Sequence, residues 1–168
     1  MSNSNQNQSE RFIEVRPAMS IQGVGVRTTN EAEAGPQGKI PPLWDRYFQS
    51  GLQTQLSEKD QAIYALYTDY ESDASGEYTL IIGNRIEEDV AAAASSEELK
   101  QASVPAAKYM VFRTRCGPLT EIVPEVWYEI WSYFQSAEQR TYTGDYERYD
   151  MRQFDPANTV VDVYIAIE

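Results

Sequence analysis

An α+β fold built from two copies of one strand-helix-strand-strand unit, forming an antiparallel sheet with two main helices and a central pocket, follows from three observations. First, residues 40–52, IPPLWDRYFQSGL, resemble residues 123–135, VPEVWYEIWSYFQ. Pro41 falls on Pro124, Leu43-Trp44 on Val126-Trp127, and Tyr47-Phe48 on Ile130-Trp131. Second, the flanking segments repeat in the same order. Third, the last two apolar stretches of each half lie close in sequence, which predicts antiparallel pairing within each half.

Taken in order, residues 1–10, MSNSNQNQSE, are polar and read as a frayed tail. The single domain then covers 11–168, with a first repeat over 11–88, a linker over 89–103 and a second repeat over 104–168. PAMSIQGVGVRT (17–28) and PAAKYMVFRT (105–114) each read as an extended segment running from Pro-Ala to Arg-Thr. The two helical segments place large apolar groups at i, i+1, i+4 and i+5, one face of a helix, with proline in the first turn where its missing N–H is harmless. Downstream, AIYALYTDYE (62–71) pairs with TYTGDYE (141–147), and EYTLIIG (77–83) with VVDVYIAI (160–167). The junction EEDVAAAASSEELKQAS (87–103) is small and polar, with room for a helical turn. Two halves that each lack a sufficient core pair their sheets, and the crease between them is a natural pocket.

The chain of 168 residues is long enough for one domain with a real core. A net charge of −12 argues against direct nucleic-acid binding and favours cations over anions. No apolar run reaches membrane-spanning length, the start lacks the regions of a signal peptide, and there is one cysteine, so a cytoplasmic location is expected. With no histidine, the Ser-His and Cys-His nucleophile arrangements and His-ligated zinc are excluded. Cys116, in TRCGP, has no base nearby in sequence and reads as inert. The acidic run DYESDASGEY (69–78) lacks the glycine and closing glutamate of a calcium loop, and GVG (23–25) lacks a phosphate-loop lysine. No metal and no cofactor is expected.

The stretch YTGDYERYD (142–150) sets Glu147 among tyrosines in a predicted strand. Alternation places Asp145, Glu147 and Tyr149 on one face and Tyr146 and Arg148 on the other. In the last strand Val161, Val163, Ile165 and Ile167 read as core, leaving Asp162, Tyr164 and Ala166 on a mixed face, so that Glu147 and Tyr164 converge if the two polar faces meet. Glu147 has two readings, a solvated strand residue or a site residue. Trp44, Trp127 and Trp131 lie on apolar helical faces and read first as core.

The combination LYTDYESDASGEYTLIIG, VPAAKYMVFRTRCG, a tryptophan-bearing helix, DYERYD and a terminal VYIAI resembles the GyrI-like effector-binding domains (the Rob C-terminal type) of AraC- and MerR-type activators, and most of all their stand-alone integron-cassette members. The resemblance implies tandem strand-helix-strand-strand units and a central aromatic pocket for lipophilic, often cationic compounds. Its acidic position maps onto Glu147 with Tyr149, and its late-strand aromatic onto Tyr164. Tyr109, Phe112, Trp44 and Trp127 follow as further ligand-binding candidates. No helix-turn-helix precedes the domain here, so action alone or through a regulatory protein partner is expected.

Three functions remain open at this level. The first is binding, as a sensor or sequestering module for drug-like cations. The second is a GyrI-like hydrolase opening cyclopropane rings, with Glu147 activating water and Tyr149 or Tyr164 donating a proton. The third is a protein-interaction module.

Overall fold

The computed structural model describes residues 9–56, 58–73, 75–86, 99–135, 139–152 and 154–168. In chain order the elements are β1 (Glu10–Arg16), β2 (Met19–Thr28), α1 (Asn30–Glu33), α2 (Ile40–Gln49), a 3-10 turn (Leu52–Gln55), β3 (Ala62–Thr68), β4 (Tyr78–Ile86), β5 (Lys100–Val104), β6 (Ala107–Arg113), α3 (Leu119–Phe134), β7 (Asp145–Asp150) and β8 (Asp162–Ile167). The strands form one eight-stranded sheet in the order β1-β6-β8-β7-β3-β4-β2-β5, with every pairing antiparallel. The duplication is therefore real: β2-α2-β3-β4 and β6-α3-β7-β8 are the two copies, joined where β3 pairs with β7.

The helix likeness extends to burial. Leu43 and Val126 are buried, as are Tyr47 and Ile130, whereas Phe48 and Trp131 are 43% and 42% exposed. Each helix thus turns the same stripe to the sheet, as its apolar spacing dictates. α2 carries proline at its first positions and has no side-chain cap of its own. Glu33 from α1 fills that role, its carboxylate accepting from the backbone N–H groups of Lys39 (2.9 Å) and Ile40 (3.0 Å).

Four features differ from expectation. The segment read as tail ends in a strand, because Glu10 opens β1, and Ser9 already donates to Glu129 on α3 (Oγ to Oε2, 2.6 Å); residues 1–8 lie outside the described residues. The segment read as linker ends in β5, while residues 89–98 of it, with 87 and 88 before them, lie outside the described residues. α3 begins at Leu119, so Pro124 stands inside the helix and not in its first turn. The YTDYE-like motifs are not equivalent positions. The first copy closes β3 at Thr68 and turns out of it through Asp69, with φ 54°, and the second leads into β7 through Tyr142 and Gly144, with φ 57° and 147°.

β1 and β5 exchange partners. Each precedes a Pro-Ala connection, at 17–18 and 105–106, yet β1 pairs with β6 of the second copy and β5 with β2 of the first. β1 lies at one end of the strand order and β2 near the other, joined by residues that reach only ~11 Å. The sheet must therefore curl. One face packs against α2 and α3 around Leu43, Tyr47, Leu80, Ile82, Val163 and Ile165. The other closes on itself around Ile21, Tyr64, Leu66, Tyr109, Tyr146 and Tyr164. Among the described residues no helix is long and apolar enough to cross a membrane.

Gly23 and Gly83 face each other in the β2–β4 ladder. A Cβ at Gly83 would lie 2.1 Å from the carbonyl oxygen of Gln22, and one at Gly23 would lie 2.0 Å from that of Ile82. Backbone cannot yield as a flexible side chain does, so Gly83→Ala is expected to destabilise the fold by about 1–3 kcal/mol. Urea denaturation should show the lower midpoint at unchanged slope.

Candidate functional site

α2 and α3 leave a gap over the centre of the sheet, and a cavity of about 330 Å³ occupies it. This volume falls at the lower end of the range for small-molecule sites. Its walls draw on both copies: Trp44, Tyr67, Tyr70 and Tyr78 from the first, and Trp127, Trp131 and Tyr149 from the second. The rings contact one another, with Trp44 and Tyr149 centroids 5.1 Å apart, Tyr67 and Trp127 5.0 Å, and Tyr67 and Tyr78 5.4 Å.

Glu147 lies among these rings and is 3% exposed. It stands opposite Ala65 across the β3–β7 ladder. Oε2 accepts from the Tyr67 hydroxyl (2.8 Å) and the Trp127 indole N–H (2.6 Å), and Oε1 accepts from the Tyr149 hydroxyl (2.5 Å). The donors come from three elements. Tyr149 reaches along β7 from the same face, Tyr67 reaches diagonally from β3, and Trp127 descends from α3. Burial pushes the Glu147 carboxyl above the ordinary range, although its three hydrogen bonds pull the other way. Burial and the neighbouring carboxylate push the Tyr67 and Tyr149 hydroxyls well up, so both remain protonated donors.

Asp145, on the same face of β7, is fully buried and handled differently. It accepts from the Arg140 guanidinium (2.7 Å), the Tyr70 hydroxyl (2.6 Å) and the Ala166 backbone N–H (2.8 Å). Arg140 is itself buried, with its guanidinium 4.4 Å from the Tyr142 ring centroid. Of the two acidic groups, one has a buried cation beside it, and the hydrogen-bond partners of the other are all neutral.

A family model described as Cass2, integron-associated effector binding protein, matches residues 12–167. The chain belongs to that family. The YobU protein of Bacillus subtilis (strain 168), whose name proposes a role in transcriptional regulation, is 38% identical over 148 residues, covering 87% of this chain and 90% of its own. The integron cassette protein VCH_CASS2 from the mobile metagenome of Vibrio cholerae superposes with a TM-score of 0.77 at 30% identity, over 96% of this chain and 97% of that one. SAV2435, solved bound to tetraphenylphosphonium, shares the fold with a TM-score of 0.75 at 17% identity, over 95% and 94% of the two chains.

In this effector-binding protein the structure gathers four of the seven candidate residues around the cavity: Glu147, Tyr149, Trp44 and Trp127. The other three lie elsewhere. The β7–β8 register pairs Glu147 with Val163 and Tyr146 with Tyr164. Tyr164 therefore falls on the opposite face, stacked on Tyr146 at 4.5 Å, and does not converge with Glu147. Tyr109 belongs to the same far-side cluster, 5.8 Å from Tyr164. Phe112 packs in the helix-side core against Tyr133, at 6.0 Å, and is absent from the cavity wall. The face of β8 read as mixed thus carries Tyr164 and Ala166 into a second core. Cys116 is exposed and contacts Asn158.

Tyr67, Tyr70 and Tyr78 escaped the sequence reading, as did Arg140. Tyr67 and Tyr70 stand within YTDYES, a segment already conspicuous in the resemblance, and the i, i+3 spacing places one in β3 and the other in the loop after it. Arg140 carried no signal.

Two outcomes follow. Between the ordinary carboxylate pKa of about 4.3 and the raised folded value, the native state holds a proton on Glu147 that the unfolded chain has released. Its contribution to stability is therefore full at low pH and lost as pH rises through that window. Glu147→Gln should flatten this part of the stability–pH curve measured by denaturant titration, and an unchanged slope would contradict the assignment. Arg140→Ala leaves Asp145 buried without its cation and should destabilise the protein by about 3–5 kcal/mol.

Proposed function

We propose that this effector-binding protein takes up lipophilic, aromatic cations and acts as a sensor or sequestering module for them. The observation that carries this reading is Glu147, an acidic group 3% exposed in an aromatic cavity with only neutral partners. Removing a carboxylate from water is costly, and a bound cation offsets that cost. The ring walls add cation–π attraction of about 0.5–2 kcal/mol per good contact. They also provide apolar area on rings with few torsions to freeze. Such walls read charge and flatness more than outline, so a chemical class is favoured over one molecule. The tetraphenylphosphonium held by the similarly folded SAV2435 belongs to that class. The hydrolytic alternative is weaker, because a base that already accepts three hydrogen bonds is poorly placed to activate water.

All three tryptophans, Trp44, Trp127 and Trp131, line the cavity, so intrinsic fluorescence reports on occupancy. Titration with tetraphenylphosphonium or rhodamine 6G should quench it. Glu147→Gln should weaken binding roughly tenfold or more, the scale of one buried charge interaction. Affinity should rise with pH through the raised pKa of Glu147 and then level off, because only the ionised form attracts the cation. Equal affinity in the wild type and the Gln variant would refute the role of Glu147.

A further inference from the structure

The carboxylate that attracts the cation has little left to offer a hydrogen-bond donor. A carboxylate has about four lone-pair positions. Glu147 has three filled, two on Oε2 by Tyr67 and Trp127 and one on Oε1 by Tyr149. Glu33, the other carboxylate on the cavity wall, is filled to the same degree. Its Oε1 accepts from the Ile40 N–H (3.0 Å), and its Oε2 accepts from the Lys39 N–H (2.9 Å) and the Thr28 hydroxyl (2.6 Å). The side-chain oxygen of Asn30, also on the wall, accepts from the Tyr78 hydroxyl (3.0 Å). The phenol oxygens that remain are neutral acceptors, weaker than a carboxylate.

We infer that the site selects cations that carry no N–H, namely quaternary ammonium, phosphonium and charge-delocalised ring cations, over protonated amines of the same size, and that Tyr67, Tyr149 and Trp127 set this preference. The inference rests on the proposed cation-binding function. A protonated amine loses the water that accepted its N–H. To regain a carboxylate partner it must crowd into the one remaining position, on Oε1 beside the Tyr149 hydroxyl, or expel a protein donor and strand a buried hydroxyl or indole N–H. A cation without N–H meets neither cost, since its attraction to Glu147 acts through space and through the rings. The three donors thus convert a carboxylate that could have formed a directional ion pair into a diffuse negative centre. Specificity is set by residues that hold Glu147, beyond the contribution of Glu147 itself.

The test uses two probes that differ by one methyl in place of one N–H: trimethyl(1-naphthylmethyl)ammonium and protonated dimethyl(1-naphthylmethyl)amine, titrated calorimetrically at pH 7. The additional methyl alone accounts for about fourfold in affinity. The wild type should favour the trimethyl probe by about 20-fold or more, the excess being the stranded donor. Tyr149→Phe clears Oε1 of its protein donor, so the preference should fall to about fourfold or below, through tighter binding of the N–H probe. If Tyr149→Phe does not fold, Tyr67→Phe removes one of the two donors on Oε2 and should shift the preference in the same direction. A wild-type preference of fourfold or less, or a preference unchanged in the folded Phe variant, overturns the inference. Should the trimethyl probe bind the wild type and be lost in Glu147→Gln while the preference is missing, only this inference fails. If neither probe binds a folded wild type, the cation-binding function itself fails.

Discussion

The burial of one carboxylate at the seam between two halves organises this molecule. Glu147 lies where β3 of the first copy pairs with β7 of the second, and its hydrogen bonds reach into both strands and up to α3. Any shift of α3 over the sheet moves the Trp127 indole off Oε2, and any slip of the β3–β7 register moves Tyr67 away. A buried polar group left without partners costs about 1–3 kcal/mol, more for a charged one, so these contacts restrain where the helix and the seam can settle. The cavity is the space that this restraint keeps open.

Two neighbouring acids on one strand face illustrate how context divides their work. Asp145 is closed off by Arg140, Tyr70 and the Ala166 backbone, an arrangement that locks the loop before β7 to the last strand. Glu147, two residues on, has partners that satisfy its geometry and leave its charge unmatched. The first arrangement builds structure and the second leaves a demand for positive charge. An excess of acidic residues in the whole chain adds a weak long-range bias of the same sign.

The exchange of β1 and β5 explains how so small a chain sustains a cavity at its centre. Each copy completes its sheet with a strand that precedes the other copy, so neither half holds its own edge. The resulting curl buries a second core on the far side of the sheet, where Tyr64, Tyr109, Tyr146 and Tyr164 pack together. That core carries packing on the face away from the helices, while the helix-side face is free to hold a pocket. The tyrosine abundance of the sequence thus serves two unlike environments on opposite faces of the same strands.

The duplication, the helices and their faces, and the shared face of Asp145, Glu147 and Tyr149 were legible in the residues alone, because these follow from spacing along a single element. The paired exposure of Phe48 and Trp131 shows how far that local logic extends. What lies opposite what emerged with the folded sheet. Tyr164 was misplaced because a one-residue change of register moves a side chain to the other face, and register between strands separated by a loop is set by packing on both sides of the sheet. Edge strands β1 and β5 went unread for a related reason: their partners lie in the other copy, and a strand whose pairing is remote carries little signal in its own residues. Tyr67, Tyr70 and Arg140 joined the site because the seam brings distant segments together, and that convergence exists only once the two copies have folded as one.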